Sequence, residues 1–374
     1  MNFDFSDDQK LLKEQVRKFL TDKCPTKVVR RVLDGNETHA EEVWKGLVDL
    51  GVPGIAIPEE HGGLGLSPLE LCVVAEEIGR AAAPVPFDTS VVLATEALKL
   101  AGSEAQKKKW LPALAAGQAI GTLAVAEGAQ PPKPRTIRTT FGNGRLNGKK
   151  VPVADGEAAT FAIVLANTGG QGDRAVSLVL VDLKQAAVAK KRVETIDPAR
   201  KHAELTFTDA TAELLGAEGE GWRTLERLYD AAAVYFAFAQ VGGAEAAMWM
   251  ARDYALQRQA FGRAIGSYQA IKHKLADCYV KLELARSNAY YGAMMLTEGG
   301  ADLPLAAAAA RIAATEAYDF AAKENIQTHG GIGFTWEADT QFHYRRSRVM
   351  ALSIGGPMAW KDKLVSRLEQ KNAA

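Results

Sequence analysis

The chain has 374 residues, 47% of them apolar and 24% charged, which reads as an ordinary globular protein with room for two or three packed regions. Lys plus Arg and Asp plus Glu both number 45, so no excess of positive charge points to nucleic acid. The acidic start Met1–Asp8 lacks the apolar core of an export signal, and three scattered cysteines (Cys24, Cys72, Cys278) predict reduced thiols in the cytoplasm rather than a disulfide framework.

Residues 1–118 read as helical. Ser6-Asp7-Asp8-Gln9 has the form of a capping box, and Leu12, Val16 and Phe19 follow at helical spacing. A second helix is expected from Pro68 to Arg80. The Gly- and Pro-punctuated stretch Gly51–Leu66 between them cannot be regular helix. Residues 119–216 change character. Short β-branched runs at Thr136–Phe141, Phe161–Leu165, Val176–Val181 and His202–Phe207, separated by turn signals, predict an antiparallel sheet or small barrel and no βαβ unit. Residues 217–374 turn helical again. No proline occurs between Pro198 and Pro304, and breaks at Phe261–Gly266, Gly299-Gly300 and Gly330–Gly333 divide the stretch into roughly four helices, packed as a bundle. Ala231–Ala251 is the most membrane-like stretch, but Gln240 and Glu245 fit a helix buried among helices better than a span. The fold class is thus mainly α with a central antiparallel β domain, over divisions 1–118, 119–216 and 217–374.

Generic chemistry motifs fail. Gly62-Gly63-Leu64-Gly65 and Gly142-Asn143-Gly144 lack the spacing and context of a dinucleotide turn, and there is no phosphate loop or nucleophile elbow. The six histidines show no metal-ligand pairing, so no metal is expected.

Four segments do carry a resemblance. They are Gly54–Gly65, which contains Pro58-Glu59-Glu60-His61-Gly62-Gly63-Leu64-Gly65, with the helix ending Glu76-Glu77-Ile78-Gly79-Arg80; Leu146-Asn147-Gly148-Lys149-Lys150; Arg258-Gln259-Ala260-Phe261-Gly262 running on through Gln269 to His273; and Gln327-Thr328-His329-Gly330-Gly331-Ile332-Gly333-Phe334. In this order they resemble the acyl-CoA dehydrogenase family, with wording similar to branches that act on bulky acyl-CoAs, including bacterial steroid side-chain degradation. The resemblance implies an N-terminal helical domain, a β-barrel-like middle domain and a C-terminal four-helix bundle. It also implies FAD as cofactor, an acyl-CoA substrate undergoing α,β-dehydrogenation, and an electron-accepting flavoprotein as partner. Arg258, Phe261, Gln269, Gln327, Gly330 and Gly331 then become the FAD contacts, offered to a neighbouring subunit. The chemistry is sensible. An arginine fork bonds phosphate oxygens, and paired glycines let a backbone approach and donate N–H groups.

The catalytic base is where the sequence departs from the family. A Glu is expected at one of two places, and ungapped counting lands on Ala232 and near Ile354. Positions sharing a helical face with Ala232 are Leu228, Tyr229, Tyr235 and Phe236, none acidic. Asp230, the nearest carboxylate, points about 200° away on a regular helix. The family's Trp-x-Thr stretch reads Pro152-Val153-Ala154, and its Thr-Glu-Pro loop reads Ala126-Glu127-Gly128. The expectation is a non-catalytic subunit of a hetero-oligomer that completes a partner's FAD site, with Asp230 a weak candidate base. The alternatives are an active homo-oligomer with an atypical base and a flavin-free scaffold on the same fold.

Overall fold

The computed structural model describes residues 5–373, so the first four residues of the acidic start lie outside it. The chain forms two compact units. One, the bundle unit, takes the described residues up to Arg30, Pro68–Ala83 and everything from Ala233 onward. The other, the barrel unit, takes Arg31–Ser67 and Pro84–Ala232.

The bundle unit begins with helix α1 (Asp7–Lys23). Its capping box forms as expected: the Ser6 hydroxyl accepts the Gln9 N–H at 3.2 Å, and the Gln9 side chain accepts the Ser6 N–H at 3.0 Å. Helix α2 (Thr26–Asp34) follows and crosses from this unit into the other, which holds α3 (Glu41–Asp49). Helix α4 (Pro68–Arg80) returns to the bundle. A Cβ on Gly79 would lie 1.8 Å from the carbonyl oxygen of Ala239, and one on Gly242 equally close to that of Glu76. Two helix backbones therefore touch, which only glycine permits. Around this contact a charge network is buried. Glu76 and Glu77 are fully enclosed and take bonds from Lys13 (2.6 Å), Arg17 (2.8 Å), Arg80 (3.1 Å) and Arg286. Both of these buried carboxylates are paired, as burial of charge demands.

The long helix α7 (Gly221–Gln257) runs without interruption and belongs to the barrel unit up to Ala232 and to the bundle beyond it. After α5 (Thr95–Ala101) and α6 (Glu104–Ala115) of the barrel unit, the remaining helices all lie in the bundle. They are α8 (Gln269–Glu298), α9 (Leu303–His329), α10 (Thr340–Leu352) and α11 (Pro357–Ala373). The expected breaks fall where glycines were read, but the last expected helix is two, parted at Ser353–Gly356. The Ala306–Ala310 run is largely buried, as a close helix contact requires. Among the described residues no helix is long and apolar enough to cross a membrane.

The barrel unit is built on a seven-stranded sheet: β1 (Gly121–Ala124), β2 (Thr140–Gly142), β3 (Arg145–Ala154), β4 (Phe161–Asn167), β5 (Val176–Asp182), β6 (Val188–Val193) and β7 (His202–Leu215). Pairing runs β4–β2–β3–β7–β5 and returns to β4, so the sheet closes on itself. It is mainly antiparallel, with β1 joined parallel to β4 and a single parallel contact between β2 and β4. Alternation explains why β4 is buried on both faces. Ala162, Val164 and Ala166 point into the barrel core with Val179 and Val181 of β5. Phe161 points out and meets the Trp110 ring of α6 at 4.3 Å between centroids, a burial worth roughly 1.5–3 kcal/mol. Of the expected strand Thr136–Phe141 only the end pairs, because Pro134 opens a 3₁₀ turn through Thr136. An eight-residue π-helical segment, Phe87–Ala94, is wholly buried beside β1 and was not legible beforehand.

Candidate cofactor face and the two expected base positions

Three bundle elements bring the proposed cofactor contacts to one end of the unit. At the C-terminal end of α7 the Tyr254 ring stacks on His329, the last residue of α9, with centroids 4.1 Å apart and planes at 25°. One turn earlier, Asn325 of α9 donates to the Met250 sulfur at 3.2 Å. The second turn of α8 is tied to the same end of α9 by Lys274 and Glu324 at 2.9 Å. Arg258, Gln269 and Gln327 project from these ends and are all exposed. Their side chains form no hydrogen bond or ion pair with the rest of the chain among the described residues. Donors and acceptors therefore remain available for a group from outside.

Between α7 and α8 the chain makes a hairpin of two short strands, β8 (Gln259–Ala260) and β9 (Arg263–Ala264), paired Gln259 to Ala264 and Ala260 to Arg263. Its two loop residues, Phe261 and Gly262, have φ of 51° and 79°, the geometry of a type I′ turn, which favours Asn-Gly. Phe261 pays the left-handed cost and leaves its ring 96% exposed. The hairpin is braced from beneath. The Ile265 N–H donates to the Arg258 carbonyl at 2.8 Å, the Tyr268 hydroxyl to the Ala260 carbonyl at 3.0 Å, and the Arg263 guanidinium covers the Tyr268 ring. A rigid base carrying an exposed, strained aromatic is built for contact.

The turn after α9 makes the same point with different chemistry. Gly330 has φ of 62°, so a side chain there would be strained. Gly331 has no such constraint, and a Cβ added to it would meet nothing within 4 Å. Nothing in this chain requires glycine at that position; a group approaching the backbone from outside would. Ile332 and Phe334 beside it are exposed apolar residues, Phe334 at 74%. Both belong to the fourth segment of the resemblance, where only Gln327 and the two glycines were expected as contacts.

The two base positions look otherwise. Ala232 and Ile354 are both buried, and the Ile354 carbonyl is taken by the Trp360 indole N–H at 3.1 Å. Leu228, Tyr235 and Phe236, one turn from Ala232, are also buried. Because α7 is an unbroken helix, Asp230 stays on another face; it is itself 6% exposed. Of the aromatic cluster noted on α7, Tyr235, Phe236 and Phe238 are core. Burial pushes the Tyr229 phenol far above its ordinary range.

In the barrel unit, Val153 is buried against Ala203, and the Ala154 carbonyl accepts the Thr122 hydroxyl at 2.7 Å. The altered loop at Glu127 has a clear structural role. Glu127 takes Lys150 Nζ at 2.7 Å and the backbone N–H groups of Arg138 and Thr139 at 2.8 and 2.9 Å. Burial alone would raise its carboxyl, but these donors hold it below the usual range. Lys150 is fully enclosed, and burial, only partly offset by Glu127, lowers its ammonium to about 8. A second buried cluster joins Arg200 to Asp88 (2.6 Å) and Asp155 (2.9 Å), with the Thr89 hydroxyl on Asp155 at 2.7 Å.

Comparison with known proteins agrees with fold and motifs. Residues 6–118 match the profile of the acyl-CoA dehydrogenase N-terminal domain, and residues 219–357 match that of the C-terminal domain. The chain is 31% identical over 98% of its length to acyl-CoA dehydrogenase IpdE2 of Mycobacterium tuberculosis, covering 97% of that protein. Among solved structures, a chain of the Tcur3481-Tcur3483 steroid ACAD superposes with a TM-score of 0.88 at 27% identity, covering 98% of this chain and 99% of that one. A chain of the ChsE4-ChsE5 complex from Mycobacterium tuberculosis does so with a TM-score of 0.88 at 26% identity, covering 99% of both. With both terminal domains matched and a full-length relative at this identity, the chain belongs to the acyl-CoA dehydrogenases, oxidoreductases that act on CH–CH bonds.

Proposed function

We propose that this chain is the non-catalytic subunit of a hetero-oligomeric, FAD-dependent acyl-CoA dehydrogenase, completing the FAD site of a partner chain that supplies the base. One observation carries the reading. The groups suited to a flavin nucleotide's phosphates and adenosine stand exposed and unengaged at one end of the bundle, while both places for a base hold buried apolar side chains. The residues fit the cofactor. Arg258 offers a guanidinium fork for a pyrophosphate, Gln269 and Gln327 offer amides, and Gly330 and Gly331 offer open backbone. The first turn of α8 has no side-chain cap, and the Ile271 and Lys272 N–H groups are taken by the Tyr268 carbonyl, which leaves the N–H groups of Gln269 and Ala270 to favour an anion. Phe261 would seat against the neighbouring subunit.

When bound, FAD supplies the redox chemistry, accepting hydride from Cβ of the acyl thioester. This chain's part is to hold, and in the complex the partner's carboxylate removes the α-proton. In this reading the divisions 1–118, 119–216 and 217–374 act as helical, β and bundle domains of the cytoplasmic assembly. An electron-accepting flavoprotein would be the redox partner of the assembly. The likeness to a chain of a two-component complex and to a steroid ACAD supports a mixed assembly and a bulky acyl-CoA such as a steroid side chain.

The test is expression alone and with candidate partner chains. A colourless or insoluble chain alone and a yellow, dye-reducing complex are expected. In the complex, Arg258→Ala should lower FAD content although this chain lacks the base. A yellow, active protein made from this chain alone would instead establish a homo-oligomer with an unrecognised base, and a soluble colourless chain that no partner turns yellow would establish a scaffold.

A further inference from the structure

The bundle unit holds a cavity of about 370 Å³ that the cofactor face does not use. Leu20, Val29, Ala246, Met250 and Phe342 make its apolar surface. It is remote from the α7 face discussed above, because Ala246 lies ten residues, about 15 Å of helix, beyond Phe236. Its volume falls within the range of small-molecule pockets, and such pockets combine apolar walls with a few convergent polar groups.

Those polar groups are two guanidiniums. Arg17 and Arg80 line the cavity with Glu77, and both donate through Nε to the same Glu77 oxygen, at 2.9 and 3.1 Å. Arg17 uses Nη2 on the other Glu77 oxygen, and Arg80 uses Nη2 on Glu245. Nη1 of each has no acceptor among the described residues of the chain. Asp339, the other acid on the lining, is engaged by Arg30 at 2.8 Å. Arg80 is under-compensated as well. Burial, together with the nearby cations Arg17 and Arg286, holds its guanidinium below the ordinary value despite the carboxylates it bonds. Two guanidinium Nη1 groups without an acceptor among the described residues, beside an apolar surface, suit an acceptor that is anionic and carries a short apolar tail.

We propose that this cavity is a binding site for a small monocarboxylate with an unbranched apolar tail, its carboxylate on Arg17 and Arg80 and its tail against Met250 and Phe342. The site shares only Met250 with the contacts that gather the cofactor face, and it does not depend on which chain supplies the base. Hexanoate is the probe, titrated by calorimetry into the full chain in the assembly in which it purifies, with hexanamide as the uncharged isostere. Saturable hexanoate binding is expected, with hexanamide at least about tenfold weaker because it cannot form the charge-assisted bonds. Ala246→Phe, which fills the cavity, and Arg17→Gln, which removes one donor pair, should each weaken hexanoate by at least about tenfold while leaving flavin content unchanged. Absence of saturable binding, equal binding of hexanamide, or hexanoate affinity unaltered in a folded variant would each overturn the assignment. The hexanamide comparison needs no variant and so stands even if Ala246→Phe does not fold.

Discussion

Replacing Phe261 by Asn separates strain in the chain from use in the assembly. The backbone at this position is left-handed, with φ of 51° in a two-residue hairpin loop, and the ring touches almost nothing of its own chain at 96% exposure. A left-handed residue with a Cβ costs about 1–2 kcal/mol, and asparagine tolerates the region far better. Relief of about 1 kcal/mol should therefore raise the melting temperature of the isolated chain by roughly 1–2 °C. In the assembly the sign reverses. Burying a phenylalanine side chain is worth about 1.5–3 kcal/mol, so losing it should weaken association roughly 10- to 150-fold. Scanning fluorimetry on the chain alone gives the first quantity. Concentration-dependent mass analysis with flavin absorbance of the complex gives the second. A variant that melts lower than the parent and assembles with full flavin occupancy would refute the argument, because the ring would then be serving this chain's own fold.

Other perturbations address the buried charges and the base. Arg200→Met leaves Asp88 and Asp155 enclosed without their cation and should cost about 3–5 kcal/mol in denaturant unfolding; a loss under about 1 kcal/mol would show the cluster to be solvated. Lys150 loses its proton near pH 8 when folded but near 10.5 when unfolded, so the unfolded chain binds more protons between those values. Its burial penalty is thus present below pH 8 and relieved as pH rises toward 10.5. Relative to Lys150→Met, the parent's stability should rise between pH 7.5 and 10 by up to roughly 3 kcal/mol, read from urea midpoints; a flat difference would mean that the ammonium is not desolvated. Asp230→Asn should leave turnover of the complex within about threefold, whereas removing a true general base costs about 10²–10⁴-fold, and a loss of that size would restore Asp230 as the base.

Features written in local sequence were legible, and those made by distant pairings were not. The Ser6 capping box, the helix Pro68–Arg80 and the glycine breaks at 261–266, 299–300 and 330–333 follow from short-range chemistry, and the structure has them. The strands at 161–165 and 176–181 were visible because both faces are buried, which makes them continuous apolar runs. Strand β6 was not, since Lys190, Lys191 and Arg192 give it no apolar signature. The Arg200 cluster draws on a residue 112 positions away, beyond any pattern argument. At the candidate face, it was the family resemblance that implied Arg258, Gln269 and Gln327 as contacts. That tertiary packing gathers them at one end of the bundle and leaves them unengaged could come only from coordinates.

Closure of the sheet has a practical outcome for handling the chain on its own. A ring of strands offers no long row of unpaired amides. Of the two strands outside the ring, β1 lies against the buried π-helical segment and β6 bears three consecutive cations that repel a second copy. Fibrillar, edge-to-edge association is thereby discouraged. Sticky behaviour of the orphan chain should arise from Phe261, Ile332 and Phe334 at the helical end, and polar substitutions there, not in the strands, are the route to a well-behaved preparation.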